Sequence, residues 1–277
     1  MPQQEAPQAA QPQPPPGFQL NALQQAFLNQ VLDAWQAESG KINTFSCDFE
    51  RLDFNAAFRP AENMPLSIDK GELSYSKPDK GSFRISEIKK WQQKPAAEGQ
   101  QPPAQIQGEY VVQSEAIGEH WVCDGKSVFE YRHNQKLLVE RPIPPPLQGK
   151  AIMDGPLPFL FGADANKLKA RYWLRVIQDN DTEIWLEALP KHQADAANFS
   201  LVRVILDRQK VLPKAMEVNL PDRSRHVYKF DLANASINHP LARLGALFDR
   251  PRTPAFWKHV IDEPPLEQAA QPAQPPR

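Results

Sequence analysis

The chain of 277 residues has only two cysteines, Cys47 and Cys123, and neither lies in a CxxC motif or at a zinc-ligand spacing. A structural zinc site is therefore not expected. The two thiols could form a disulfide in an oxidising compartment. Free, buried thiols are the simpler interpretation, because cysteine packs in protein interiors as a small apolar side chain.

The sequence also lacks an excess of charge and any long hydrophobic run. Its 32 Lys and Arg residues are balanced by 33 Asp and Glu residues, whereas nucleic-acid binding requires a concentrated basic surface. We therefore expect no nucleic-acid partner. No apolar stretch is long enough for stable membrane insertion, and no secretory signal is recognisable at the N-terminus. Met1 fits either an intact cytosolic start or a chain from which an export signal has been removed.

Motifs of catalysis and metal binding are missing as well. Asp124–Ser127 is similar to the end of a phosphate-binding loop, but His120 occupies the position of the required glycine, so a hairpin turn is predicted instead. No GxSxG nucleophile elbow occurs, and the six histidines show no metal-ligand spacing. We therefore predict no enzyme activity, no metal and no cofactor.

Proline is abundant, and it marks both ends of the chain. Residues 1–17 and 263–277 consist mainly of Pro, Gln, Ala and Glu and hold 11 of the 29 prolines. Such segments bury too little apolar surface to fold, so we predict two disordered tails around one domain of residues 18–262. The polar stretch Lys94–Pro103 is predicted to be a mobile loop.

The domain begins with a helical pattern and continues with strands. Leu23, Phe27, Val31 and Trp35 fall on one face of a helix over Leu20–Glu38, and Asn21 with Gln24 fits a capping box. Alternating strand patterns follow at Phe45–Phe49, Gly71–Ser76, Phe83–Ile85, Tyr110–Gln113, His120–Cys123, Ser127–Tyr131, Lys136–Arg141, Arg171–Ile177, Glu183–Leu189, Phe199–Leu206, Ala215–Leu220 and His226–Leu232. Near the end of the domain, Phe256 and Trp257 are expected to dock on it.

These patterns predict a fold that is mainly β with helices (α+β). Sequential short strands joined by tight turns favour a single antiparallel sheet, and a sheet of about eleven twisted strands curls. We therefore predict a curled sheet or incomplete barrel with a helical lid. Its inner face would carry the aromatic and apolar side chains of Phe45, Phe49, Leu73, Tyr75, Phe83, Trp121, Phe129, Tyr131, Tyr228 and Phe230.

A short apolar segment, Met153–Phe161, divides the strands into two groups. Glycine and proline interrupt it, which disfavours both a long helix and a central strand. The segment could be a flap over an apolar space or a plug that completes the core. As a lid it would contribute Leu157, Phe159, Leu160 and Phe161, and the first helix would add Leu23, Phe27, Val31 and Trp35.

Four motifs occur in a characteristic order after the first helix. They are Ile42–Phe49 (INTFSCDF), Gly71–Pro78 (GELSYSKP), Trp121–Tyr131 (WVCDGKSVFEY) and Pro156–Phe161 (PLPFLF). In this order and spacing, Leu20–Leu232 resembles the LolA-like superfamily of periplasmic lipoprotein carriers, and planctomycete envelope proteins of that type in particular.

The resemblance implies an incomplete antiparallel barrel that helices close over a hydrophobic cavity for lipid acyl chains. It also implies export to the periplasm or cell envelope, with lipoprotein acyl chains or another lipid as ligand. An inner-membrane donor complex and an outer-membrane acceptor would be the partners of what we expect to be a monomer. In the best-known carriers an arginine in the opening loop precedes the proline of the second motif. Here Lys77 is the gating basic residue, and lysine lacks the planar fork of arginine.

Two functions stay open at this point. The first is a carrier that shields acyl chains in the cavity for transfer across the envelope, with the aromatic residues as its lining and the two lid segments as its cover. The second is an envelope sensor or protein-interaction module on the same fold, without lipid transport. An open apolar cavity would favour the first, and a cavity filled by the protein's own side chains would favour the second.

Overall fold

The structure is a computed structural model that describes residues 13–58, 61, 63–94, 107–114, 118–148, 164–239 and 247–262. The proposed lid segment Met153–Phe161 lies outside the described residues, as do all but the first residue of the Lys94–Pro103 loop and most of both tails. The domain boundaries at residues 18 and 262 stay a prediction.

One helix, α1 (Ala22–Gly40), precedes the sheet. The predicted capping box is present: the Asn21 side chain accepts a hydrogen bond from the Gln24 amide at 2.9 Å, and the Gln24 side chain accepts one from the Asn21 amide at 3.0 Å. The side chains of Leu28, Val31, Leu32 and Trp35 are buried against the sheet. Leu23 in the first turn is 83% exposed, so the start of the helix extends beyond the sheet.

Fourteen strands form one sheet in the described part of the chain. They are β1 (Thr44–Phe54), β2 (Ser67–Ser76), β3 (Lys80–Gln93), β4 (Gly108–Val112), β5 (His120–Cys123), β6 (Ser127–Arg132), β7 (Leu137–Pro142), β8 (Tyr172–Asp179), β9 (Glu183–Pro190), β10 (Leu201–Asp207), β11 (Pro213–Asn219), β12 (Arg225–Phe230), β13 (Ser236–Ile237) and β14 (Lys258–Ile261). Two short helices, α2 (Ala165–Arg171) and α3 (Gln193–Ala196), flank β8 and β9.

The strand order is β14-β7-β6-β5-β3-β2-β1-β12-β11-β10-β9-β8, with β4 added to β3 and β13 added to β1. Every pair is antiparallel except β7 with β14, which run parallel. The sheet stays unclosed in the described residues, because its end strands β8 and β14 do not pair with each other. The predicted fold class, a large curled antiparallel sheet with helices, is confirmed.

The register assigns each strand residue to one of two faces, because residues directly opposite each other in an antiparallel pair share a face. We call the face that α1 covers the helix face and the opposite one the outer face. On the helix face, α1 and the strands enclose one continuous hydrophobic core that runs from β3 through β1 to β8.

The outer face is polar over most of the sheet. Glu187 on β9 is 3% exposed and accepts hydrogen bonds from Arg175 on β8 and Arg203 on β10, each at 2.7 Å. Arg203 also contacts Glu217 on β11 at 3.2 Å. The hydrogen bonds from the two arginines compensate the negative charge of Glu187, which would otherwise be costly to bury.

Candidate functional site

A row of aromatic rings crosses the helix face. The ring of Trp121 on β5 stacks on Phe83 at 5.7 Å, and Phe83 on β3 stacks on Phe49 at 4.8 Å. Phe49 on β1 contacts Tyr228 on β12 at 6.0 Å. Phe49 and Phe83 are buried, whereas Trp121 and Tyr228 at the two ends are half-buried. The structure thus brings together four of the predicted lining residues.

The row can cross β2 because Gly71 lies beneath it. A Cβ atom at this position would stand 2.5 Å from Cζ of Phe49 and 2.3 Å from the carbonyl oxygen of Arg84. A Cβ atom does not approach non-bonded atoms this closely, so any larger residue at position 71 would displace the ring of Phe49. The absence of a side chain therefore lets the ring of Phe49 reach Phe83 across the intervening strand.

The other predicted residues of the helix face surround a small cavity beside this row. Phe45, Leu73 and Phe230 are buried there, and Tyr75 is buried next to them. The cavity measures about 20 Å³ and its lining is wholly apolar; the lining residues are Ile42, Phe45, Leu73, Leu212, Pro213, Phe230 and Leu232. A space of this size holds about one water molecule. In the described residues, this part of the helix face is filled by the protein's own side chains.

The predicted lid residues on α1 differ in their burial, and not all of them cover the sheet. Val31 and Trp35 are 4% and 1% exposed and belong to the core, and Phe27 is half-buried against it. Leu23 points away from the core. The remaining lid residues, Leu157, Phe159, Leu160 and Phe161, lie outside the described residues, so their role stays a prediction.

Lys77 lies in the turn between β2 and β3, where it contacts the end of α1. Its ammonium group donates a hydrogen bond to the carbonyl oxygen of Gly40, the last residue of the helix. A cation is favourable at this end of a helix because the terminal carbonyls lack partners and carry the negative end of the helix dipole. The residue predicted to gate the cavity therefore ties α1 to the sheet.

A charged cluster borders the aromatic row on the helix face. Arg51 on β1 donates two hydrogen bonds to Asp69 on β2, at 2.8 and 3.0 Å, and one to Glu119 at 3.0 Å. Asp69 is 1% exposed, and its Oδ1 atom has no hydrogen-bond partner in the described part of the chain. Burial raises the pKa of the adjacent Tyr228, so its hydroxyl stays protonated at neutral pH.

Two predicted lining residues, Phe129 and Tyr131, lie on the other side of the sheet. Trp121 is opposite Glu130 in the β5–β6 register, and Val122 is opposite Phe129, so Phe129 and Tyr131 face outward. Phe129 is fully buried there under Arg250, whose guanidinium lies 5.8 Å from the ring centre. The structure does not bring these two residues to the helix face.

A C-terminal strap, residues 247–262, covers this part of the outer face. Its strand β14 pairs with β7, and the buried carboxylate of Glu140 on β7 accepts hydrogen bonds from Ser127 and Arg250 and contacts His259 at 2.9 Å. Trp257 packs edge-on against His133 at 5.1 Å, which confirms the docking of this side chain. Phe256 is 97% exposed, so the same prediction is wrong for its neighbour.

A cavity of about 370 Å³ separates the strap from the sheet. His120 and Tyr131 form part of its floor and stack at 4.0 Å, and Arg84 and Glu72 add charges of opposite sign. Burial, followed by the nearby Arg84 and His133, lowers the pKa of His120 to about 4. The imidazole is therefore neutral at physiological pH.

The two cysteines are free and buried. They lie on β1 and β5, which are separated by β2 and β3, and three strand spacings amount to about 14 Å. A disulfide needs Cα atoms within about 7 Å. Burial raises the pKa of Cys47 to about 12 and that of Cys123 to about 11, so both thiols stay protonated. The interpretation of two free thiols is confirmed.

Sequence reasoning missed several residues that shape this site. Arg51 and Asp69 occur in stretches of mixed polarity, and only the β1–β2 register places them side by side. Leu212 and Pro213 follow a turn and line the cavity at the start of β11. The spacing of Gly71 before Leu73 and Tyr75 was visible in the sequence, but its role depends on a ring from another strand.

Within the described residues, no three His, Cys, Asp or Glu side chains are placed to hold a metal ion. No helix described in the structure combines the length and the apolar composition needed to cross a bilayer.

Searches of protein-family models and of curated proteins found no match. Among solved structures, a complex of MucA and MucB from Pseudomonas aeruginosa matches at 10% identity, TM-score 0.37, over 77% of this chain and 58% of that one. A conserved uncharacterised protein from Thermus thermophilus matches at 9% identity and a TM-score of 0.44, over 85% of this chain and 98% of that protein. A LolA superfamily protein from Nitrosomonas europaea matches at 8% identity and a TM-score of 0.36, over 76% of this chain and 94% of that protein.

Of these three, the protein from Nitrosomonas europaea belongs to the superfamily that the sequence motifs resemble. The match spans 58% of the length of the chain in the MucA/MucB complex. At these identities and TM-scores, the similarity carries no argument about function.

Proposed function

We propose that the protein is a non-enzymatic carrier or binding protein that shields acyl chains of a lipoprotein or lipid on the helix face of its sheet. The observation that carries this proposal is the aromatic row, whose ends at Trp121 and Tyr228 are incompletely covered. The incompletely covered rings offer apolar surface that an acyl chain would remove from water, which is favourable.

The neighbouring residues suit an amphiphilic ligand. Apolar side chains of Phe45, Leu73 and Phe230 continue the row on one side, and the Arg51–Asp69 pair borders it on the other. Each methylene group buried on such a surface contributes about 0.8 kcal/mol, so a long acyl chain can bind firmly without any specific polar contact.

Binding requires that the protein opens. The cavity of about 20 Å³ is too small for an acyl chain, so we propose that space comes from displacement of α1. The contact of Lys77 with the last carbonyl of α1 is one that opening through α1 would break. This assigns Lys77 a gating role of a different kind from the bidentate contacts that an arginine would make.

The proposal includes a location and partners. The motif order in the sequence supports an envelope protein that receives its ligand from an inner-membrane donor and delivers it to an outer-membrane acceptor. The predicted absence of a catalytic function and the predicted monomer belong to the same proposal.

The test compares two aromatic residues on adjacent strands. Both Trp121 and Tyr131 are half-buried, but Trp121 lies on the helix face and Tyr131 on the outer face. We expect Trp121→Ala to weaken binding of a fluorescent long-chain fatty acid by about tenfold or more, because the lost ring forms one end of the apolar row. Tyr131→Ala should leave the affinity unchanged. Native mass spectrometry with lipid extraction identifies any acyl species that copurifies.

Equal effects of the two substitutions would remove the helix face from the proposal. Thermal unfolding of both variants serves as the control, since a loss of fold would lower probe binding at any position. A protein that copurifies without lipid and takes up no fatty acid would contradict acyl binding altogether.

The small size of the cavity favours a second candidate function. A helix face filled by the protein's own side chains suits an envelope sensor or interaction module, in which the sheet presents a surface and carries no lipid. Failure to bind any acyl probe, together with an unchanged thermal midpoint when fatty acid is added, would support this alternative.

A further inference from the structure

Phe256 is a large apolar side chain that makes almost no contact with the protein. It is 97% exposed. It occupies the third position of a turn closed by a hydrogen bond of 3.1 Å from the Trp257 amide to the Pro254 carbonyl. Its φ is +65°, in the left-handed region where glycine or asparagine is favoured and a bulky residue is an outlier. The fold therefore gains little from a phenylalanine here and bears its backbone strain.

The turn is nevertheless held firmly on both sides. Trp257 packs between His133 and Tyr131, at 5.1 and 6.2 Å. Immediately after it, β14 pairs with β7, and the Lys258 amide donates a hydrogen bond to the Lys136 carbonyl at 2.9 Å. Phe256 is therefore presented to solvent from an anchored turn.

The surroundings of the turn are cationic. Between Asp249 and Asp262, residues 250–261 contain two arginines and one lysine and no acidic residue. The adjacent residues 132–138 contain one arginine and one lysine and likewise no acidic residue.

Three of these five cations have no ion-pair partner. Arg250 pairs with Glu140 and Arg132 pairs with Glu130. Lys136, Arg252 and Lys258 form no ion pair within the described residues, and all three are exposed. A chain with a net charge of only −1 thus concentrates free positive charge around one exposed aromatic ring.

We infer that this end of the sheet, formed by Phe256 with Lys136, Arg252 and Lys258, docks reversibly on an anionic lipid surface. The ring would enter the boundary between headgroups and acyl chains, and the cations would face the lipid phosphates. An apolar side chain flanked by basic residues binds such a surface through both contributions, and each cation near it adds to the affinity. A protein partner would need a shaped, mostly apolar contact area around the ring, whereas Trp257 is packed on Tyr131 and His133 and the other neighbours of Phe256 in the turn, Pro254 and Ala255, are small.

The inference does not depend on the proposed acyl-binding site, because none of these four residues belongs to the aromatic row. The experiment is cosedimentation of the full-length protein with vesicles of phosphatidylcholine alone, or of equal parts phosphatidylcholine and phosphatidylglycerol. We expect binding to the mixed vesicles that weakens as salt is added. Trp121→Ala should leave this binding unchanged, which separates failure of the inference from failure of the carrier proposal.

Phe256→Asn is expected to weaken binding by about tenfold or more, because the inserted ring is lost. Its thermal midpoint should stay the same or rise, since asparagine tolerates this backbone conformation. Phe256→Leu should restore most of the affinity. Lys136→Gln with Lys258→Gln should weaken binding to the mixed vesicles by about fivefold for each lysine removed.

Phe58 provides the matched control. It is also exposed, at 72%, but lies after β1, at the Asn55 turn. Phe58→Asn should leave vesicle binding unchanged. Absence of binding by the unaltered protein, an equal loss in Phe58→Asn, or a lower thermal midpoint in Phe256→Asn would each overturn the inference.

Discussion

Gly71 is a residue whose missing side chain shapes the helix face. The ring of Phe49 lies over its Cα atom and reaches Phe83 on the far side of β2. Sequence patterns predicted the inward direction of these rings but could not predict their stacking, because it depends on the register of three strands. Alternation along one strand contains no information about which ring will occupy the space above a neighbouring strand.

Gly71→Ala should lower the free energy of unfolding by about 1–3 kcal/mol, because the added methyl group overlaps Phe49 and the Arg84 backbone. Urea unfolding measures the loss, and near-ultraviolet circular dichroism reports the displaced rings. Gly40→Ala is the control, since a Cβ atom at Gly40 has no heavy atom within 4 Å. An equal loss at both positions would contradict the close packing that we describe for Gly71.

His120 is the residue for which the structure predicts a pH dependence of stability. Its pKa falls from 6.5 to about 4 on folding, through burial first and then the charge of Arg84. Below pH 6.5 the unfolded chain binds a proton that the folded protein does not bind. Stability contributed by the neutral imidazole is therefore complete above pH 6.5 and is lost progressively as the pH falls towards 4.

His120→Phe keeps a ring on Tyr131 and removes the titrating group. We expect the stability of this variant to decrease less than that of the unaltered protein between pH 6.5 and 4. Urea unfolding at several pH values measures the difference. Parallel pH profiles of the two proteins would show that His120 is protonated equally in the folded and unfolded states.

Among the elements, β6 shows most clearly where sequence reasoning failed. Its alternation correctly groups Phe129 with Tyr131 and Val128 with Glu130. An antiparallel sheet with one buried face would place this aromatic pair in the interior. In the structure the strap forms a second buried region on the outer face, and Phe129 belongs to it. A pattern with a period of two shows which residues share a face, and the covering elements decide which faces are buried.

The strap depends on one buried carboxylate. Glu140 is 6% exposed and receives contacts from Ser127, Arg250 and His259. Glu140→Gln removes the charge that pairs with Arg250 and alters the contact with His259, so the strap should open more often. We expect amide hydrogen exchange over Lys258–Ile261 to become about tenfold faster or more, and exchange in β9 and β10 to stay unchanged.

Glu50→Gln is the control for this experiment. Glu50 also pairs across strands, with Lys229 at 3.2 Å, but its side chain is 36% exposed and no strap covers it. Exchange over β14 should be the same as in the unaltered protein. Equally slow exchange in Glu140→Gln would indicate that the backbone pairing of β7 and β14 holds the strap without this carboxylate.

For the whole molecule, the fold class followed from the sequence because most strands alternate clearly and follow one another through short turns. The cap of α1 and the hairpin at Asp124 were predictable for the same local reasons. The parallel pairing of β14 was not, because Lys258–Ile261 is short and its partner β7 lies more than a hundred residues earlier in the chain. Long-range pairing leaves no local signal.

The two proposed activities of the molecule use separate residues. The proposed acyl-binding row runs from β5 to β12, and the cationic surface with Phe256 lies in the strap and the β6–β7 turn. A carrier of this form could rest on a lipid surface while its binding face stays unobstructed.

Strands β5 and β6 contribute to both sides through successive residues. Trp121 and Val122, or Val128 and Phe129, are neighbours in the chain but pack in separate environments. Mutations at neighbouring positions of β5 and β6 are therefore subject to different constraints, because one position faces the aromatic row and the next faces the strap. During divergence, ligand preference on one side could change while the strap and its anchoring contacts on the other were preserved.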